Sequence, residues 1–233
     1  MHEDLANHKS SISGLDTGLR DYMLRVYDYM GVGLAITGAV AYLAAASGLY
    51  QRIFGTPLYW LVVFAPLALV LLLSFRIQRM SFAAAQLAFW IYAALVGLSL
   101  SGLFIVYTEA SIARVFFITA ATFLAMSLYG YTTKRDLVGV GSFLVMGLIG
   151  IILAGLVNLF VASSPLQFAI SVVGVVVFVG LTAWDTQRIK ELYLEEDFDI
   201  GRKKAIIGAL TLYLDFINLF VLLIQLFGQR RKE

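Results

Sequence analysis

Four stretches of this chain carry no charged residue over 19 or more positions: Gly31 to Leu49, Pro57 to Phe75, Phe82 to Tyr107 and Val115 to Thr133. A fifth, Leu137 to Trp184, runs 48 positions without one. A bilayer's hydrocarbon core is about 30 Å thick and a helical residue rises about 1.5 Å, so about 20 apolar residues cross it. Inside it the backbone must satisfy its own N–H and C=O groups, which helices do and open strands do not. The fifth stretch is too long for one crossing, and SSPLQ at Ser163 to Gln167 places a proline where a turn is wanted, dividing it in two. The last stretch, Ala205 to Gly228, is interrupted by one charge, Asp215. The expected fold is therefore an all-α, seven-helix integral membrane bundle, with a polar N-terminal tail over 1–26, a membrane domain over 27–228 and a short basic tail over 229–233.

Composition narrows the function classes. Charged residues make up 14% of the 233, against roughly 25% in an ordinary soluble domain, and mean hydropathy is +0.87. With 17 basic and 15 acidic residues the net charge of +2 gives no reason to expect a nucleic-acid partner. There is no cysteine, and both histidines, His2 and His8, lie in the polar tail. Thiolate metal sites, cysteine nucleophiles, serine–histidine hydrolysis and His-ligated zinc all lose their usual parts. No enzyme and no cofactor is expected. No acidic cluster has the ligand spacing of a dedicated calcium loop, so no high-affinity metal site is expected. LEEDFD at Leu194 to Asp199 reads as a solvated loop or, alternatively, a weak concentrator of cations.

The basic residues fall unevenly about seven crossings. Twelve, including Arg20, Arg25, Arg76, Arg79, Lys134 and Arg135, lie with the N-terminus, and five, Arg52, Arg114, Arg230, Arg231 and Lys232, lie opposite. The positive-inside rule then places the N-terminus in the cytoplasm and the C-terminus outside. The basic C-terminal tail is discordant, and either the last helix crosses or it turns back. A reporter active only outside the cytoplasm, fused after Glu233, should be active; silence would mean an even number of crossings.

Charge inside hydrocarbon is costly and functional by default. Asp215 lies eleven residues after Lys204 and fifteen before Arg230, about 16 Å and 22 Å from them along a helix. So short a side chain must face the bundle and find a partner or a proton. Asp185, in TAWDTQRIK, is either that partner or an interface carboxylate capping the positive cluster that begins at Arg188. Two carboxylates that meet in a poorly solvated bundle share a proton and titrate as a unit. Arg76 and Arg79 serve as cytoplasmic anchors or turn back into the bundle. Asn158 and Asn218 are amides for cross-helix bonds or for a polar path. Glu109 and Arg114 read as a solvated pair. Small residues at four-residue spacing, Gly97 with Ser101 and Gly150 with Ala154, allow close helix approach.

LYLDFINLF at Leu212 to Phe220, WDTQRIK at Trp184 to Lys190 on the preceding helix, and seven spans with short loops resemble the Bax inhibitor-1 family (transmembrane Bax inhibitor motif proteins), bacterial branch. The resemblance runs from about Asp21 to Phe227. It implies an inner-membrane bundle with the last helix at its centre and a pH-sensitive cation leak, the cation being calcium. It also implies a di-aspartate proton sensor, which falls on Asp185 and Asp215. A basic latch at the end of the second helix falls on Arg79, with Arg76 as the alternative. Beyond lipid and cations, it implies other membrane proteins as partners, and a regulator of such proteins that does not itself conduct is the alternative reading. An intramembrane aspartyl protease also sets aspartates on neighbouring helices, but here TLYL precedes Asp215 and the chain has no PAL string.

Overall fold

The computed structural model describes residues 2–193 and 198–231, with side chains over 17–77, 79–193 and 201–231. Leu194 to Asp199, the acidic stretch, falls outside the fully described residues. Among the described residues nine α-helices follow in order: α1 (His2–Ala46), α2 (Leu49–Ile53), α3 (Pro57–Arg76), α4 (Phe82–Leu100), α5 (Leu103–Val106), α6 (Glu109–Thr132), α7 (Val138–Val161), α8 (Ser164–Glu191) and α9 (Phe198–Phe227). A single 3-10 turn, Ile77–Arg79, links α3 to α4. Seven segments are long and apolar enough to cross a bilayer: Thr17–Ala46, Pro57–Arg76, Phe82–Val106, Glu109–Thr132, Val138–Val161, Ser164–Glu191 and Gly201–Phe227.

The helices outrun the charge-free stretches at several ends, because a charge at the headgroup level costs little while an unpaired backbone group still wants its partner. α1 shows this best. Its helix passes straight through the polar tail from His2 on, and Tyr22, Met23, Val26 and Met30 are buried at helical spacing while Asp21 and Asp28 stay exposed. The starts of α4, α6 and α8 are capped by hydroxyls: Ser81, Thr108 and Ser163 accept from the backbone N–H three residues on. Pro57 and Pro165 sit in first turns, where no donor is lost.

α9 is the central helix. Over the apolar 18-residue window of its membrane span 67% of the residues are buried, against at most 44% in any other span's window, and it packs on α1, α4, α6 and α8. α3 and α7 are peripheral, with 11% each. The C-terminal tail resolves the choice between crossing and turning back. Thr108 N–H donates to Gln229 O at 3.0 Å and Arg231 N–H to Val106 O at 2.9 Å. Arg231 also pairs with Glu109 at 3.2 Å. The tail is thus bound to the α5–α6 turn, at the end of the bundle opposite Ile77–Arg79. The predicted Glu109–Arg114 pair is not what forms; Arg231, 122 residues away in sequence, takes the carboxylate.

Candidate functional site

Asp185 sits near the end of α8 and Asp215 in the middle of α9, and rise along their helices alone leaves them at different depths. Packing removes the mismatch. Gly208 of α9 lies against Ile189 of α8, and Gly174 of α8 against Leu222 of α9, so the two helices run antiparallel in close contact. Measured from the 189/208 contact, Asp185 is four residues along and Asp215 seven, about 6 Å and 10 Å. Side chains cover the remaining difference, and the two carboxyl groups lie within hydrogen-bonding reach of each other.

Both aspartates are buried, 8% and 5% exposed. Oδ2 of Asp215 is sealed from solvent and finds no donor among the described residues. Two ionised carboxylates only repel, so the contact becomes a hydrogen bond only when one of them carries a proton. A cavity of about 480 Å³ adjoins the pair, lined mostly by apolar side chains such as Val145 and Leu148 of α7 and Leu181 and Leu222 of α8 and α9, with Asp185, Thr211, Asp215 and Asn218 as its polar members. Asn218 is exposed, one turn beyond Asp215, and donates to Leu214 O at 2.8 Å. Among the described residues no three acidic or histidine side chains converge here as a tight metal site would require, and two carboxylates with one amide and one hydroxyl suit a weak cation site.

The cation whose field reaches Asp185 is Arg188, one turn further along α8, with its guanidinium 5.4 Å from the Trp184 ring centre. Arg76 and Arg79 are exposed, and among the described residues no ion pair joins either to Asp185. Asn158 stands apart from the pair. It closes the α7–α8 turn, accepting from Ser163 N–H at 2.9 Å and donating to Gln167 Oε1 at 3.0 Å. Gln167 in turn donates to Gln225 of α9, ten residues and about 15 Å beyond Asp215.

Two further polar connections join the helices without charge or motif, and only Tyr213, a phenol two residues from Asp215 and so on another face of its helix, is singled out by the residues alone. Tyr27 of α1 bonds Ser127 of α6, which bonds Thr186 of α8 at 2.9 Å, directly beside Asp185. Tyr213 of α9 bonds Thr37 of α1 at 2.6 Å, and Thr37 donates to Ala93 O of α4 at 2.9 Å. Tyr213 points away from the aspartates, as its two-residue offset from Asp215 requires. Hydroxyls inside spans were the available signal, but a serine or threonine in a membrane helix usually bonds its own backbone, as Thr119 and Thr182 do here.

Residues 19–232 match the family described as inhibitor of apoptosis-promoting Bax1. The chain is 52% identical over 219 residues to the inner membrane protein YbhL of Escherichia coli K12, covering 92% of this chain and 94% of that one. It is 51% identical over 218 residues to an uncharacterized protein of Rickettsia prowazekii, covering 93% and 92%. It is 36% identical over 218 residues to an uncharacterized membrane protein of Streptococcus pyogenes, covering 92% and 95%.

Proposed function

We propose that this chain, which belongs to the Bax inhibitor-1 family, is a pH-sensitive cation leak of the bacterial inner membrane in which Asp185 and Asp215 share the controlling proton. The observation that carries the reading is the pair itself: two buried carboxyls from different helices, within hydrogen-bonding reach, at the edge of a cavity whose few polar groups gather about them. With one proton between them the carboxyls attract and hold α8 to α9. Without it they repel, and a cation is the natural replacement. Calcium is the ion the family resemblance favours, and a site of few oxygens suits passage better than retention. The distribution of basic residues supports a cytoplasmic N-terminus. No covalent chemistry is assigned to the pair.

The test is calcium uptake by liposomes carrying the purified protein, followed across a pH series. Flux should change steeply within about pH 6 to 8: deprotonation creates a cation site, whereas protonation loosens Asp185 from a basic latch, and the family resemblance favours the second, with the acid side the more conductive. Protein-dependent flux that is absent, or flat across that window, would leave the non-conducting regulator as the better reading.

The cation beside Asp185 gives a second expectation. Arg188→Gln removes the positive field that the fold places on that carboxyl and should displace the pH of half-maximal flux. Arg79→Ala tests the latch implied by the family resemblance and should do less in this conformation, with Arg76→Ala least. If Arg79→Ala has the larger effect, another conformation brings the end of α3 onto Asp185.

A further inference from the structure

Two cavities meet at the end of the bundle where the chain terminates. One, of about 280 Å³, lies between α1, α4, α6 and α9 and is lined almost wholly by apolar side chains, among them Leu34, Ala41, Phe116 and Phe220. The other, of about 150 Å³, is polar, with Tyr42, Gln51, Glu109 and Arg231 in its wall. Phe104 and Glu109 line both, so an apolar chamber opens into a polar mouth. The mouth sits where the spans Thr17–Ala46 and Glu109–Thr132 end, at headgroup depth. From Glu109 the chamber follows α6 to Phe117, eight residues and about 12 Å toward the bilayer centre. Its flank faces the hydrocarbon: Phe117 is 70% exposed.

We infer that this double cavity is a binding site for a phospholipid with a zwitterionic, ammonium-bearing headgroup, one acyl chain filling the chamber and the headgroup lying between Glu109 and Arg231. The charges decide the class. Glu109 and Arg231 face each other at 3.2 Å with side chains 65% and 48% exposed, so both are reachable. A head that carries both an ammonium and a phosphate exchanges one ion pair for two and leaves no charge unmatched. An anionic head without an ammonium sets its phosphate near Glu109, and a cationic amphiphile leaves Arg231 without its partner. A primary ammonium also donates hydrogen bonds to the Glu109 carboxylate, which a quaternary one lacks the N–H to do. The expected order is phosphatidylethanolamine, then phosphatidylcholine, then phosphatidylglycerol. The site lies away from the aspartate pair and stands whether or not the chain conducts.

The test is native mass spectrometry of the purified full-length chain, equilibrated with equal amounts of those three lipids bearing the same acyl chains. Parent protein should retain phosphatidylethanolamine about fivefold over phosphatidylglycerol. Glu109→Gln should bring phosphatidylethanolamine and phosphatidylcholine to parity. Because the readout is a ratio within folded molecules, partial loss of the tail contact does not obscure it. Gly38 lines the chamber with nothing within 4 Å of where a Cβ would stand. Gly38→Phe should therefore fill the chamber, keep the parent melting temperature and lose all three lipids together. Equal retention of the three heads by the parent overturns the assignment. So does an unchanged order in Glu109→Gln, or unchanged retention in a folded Gly38→Phe.

Discussion

Asp215→Asn is expected to abolish the steep pH dependence of cation flux while leaving the bundle folded. On the proposed reading one proton matters twice: it removes a charge from a site sealed against water, and it converts a repulsive contact between α8 and α9 into a hydrogen bond. The amide keeps the size of the carboxyl and supplies a permanent N–H toward Asp185. Repulsion between like charges is then gone at every pH, and Asp185 titrates as a single group without a partner. A flux that follows one protonated fraction falls about tenfold per pH unit on the alkaline side of its midpoint. Between about pH 6 and 8 the parent should show a change of that order and the variant less than about twofold. Asp185→Asn should flatten the profile likewise. Folding should survive, because the substitution removes an oxygen that lacks a donor rather than a satisfied partner. Variants that keep the parent's midpoint would remove the aspartates from control, whatever the protein conducts.

What the sequence disclosed followed the cost of burying charge. Asp215 stood out because it alone broke an apolar span, and the seven crossings stood out because so few charges interrupt the chain. Its partner was harder to read. Asp185 lies one turn before a basic cluster, where a carboxylate needs no special account, and only the packing of Gly208 on Ile189 shows that α9 brings Asp215 to it. Hydroxyl and amide contacts were less legible still. Nothing in the residues distinguishes Ser127, which joins α1 to α8, from Thr122, which bonds its own helix. The strap of the C-terminal tail was hidden for another reason: Glu109 has a basic residue five positions away, yet it pairs with one 122 positions away. Contacts of that kind depend on helix order around the bundle, which no local pattern records.

The small residues make the same point, and they yield the largest expected effect on stability. Gly97 and Gly150 share a spacing pattern, but only Gly97 touches another helix, where a Cβ would press on the backbone of Thr37; around Gly150 nothing lies within 4 Å. The tightest approach to another helix's backbone is at Gly130, which four-residue spacing did not single out. A Cβ there would drive into the carbonyl oxygen of Ala183, a backbone atom of α8 two residues before Asp185. A side chain could rotate aside, but a carbonyl fixed in a helix cannot, so α6 must separate from α8. That separation strains two further contacts between the same helices: Ser127 with Thr186, and Lys190 Nζ with Tyr131 O at 2.9 Å. Gly130→Ala should therefore cost about 1 to 3 kcal/mol from the wedge alone, and at this chain length lower the melting temperature by about 2 to 12 °C. Gly97→Ala should follow it, and Gly150→Ala should melt with the parent. Because the wedge bears on the turn of α8 that carries Asp185, basal flux through Gly130→Ala should also depart from the parent at every pH where the protein remains folded. Equal melting of the Gly130→Ala and Gly150→Ala proteins would show that α6 and α8 are not held at the separation seen here.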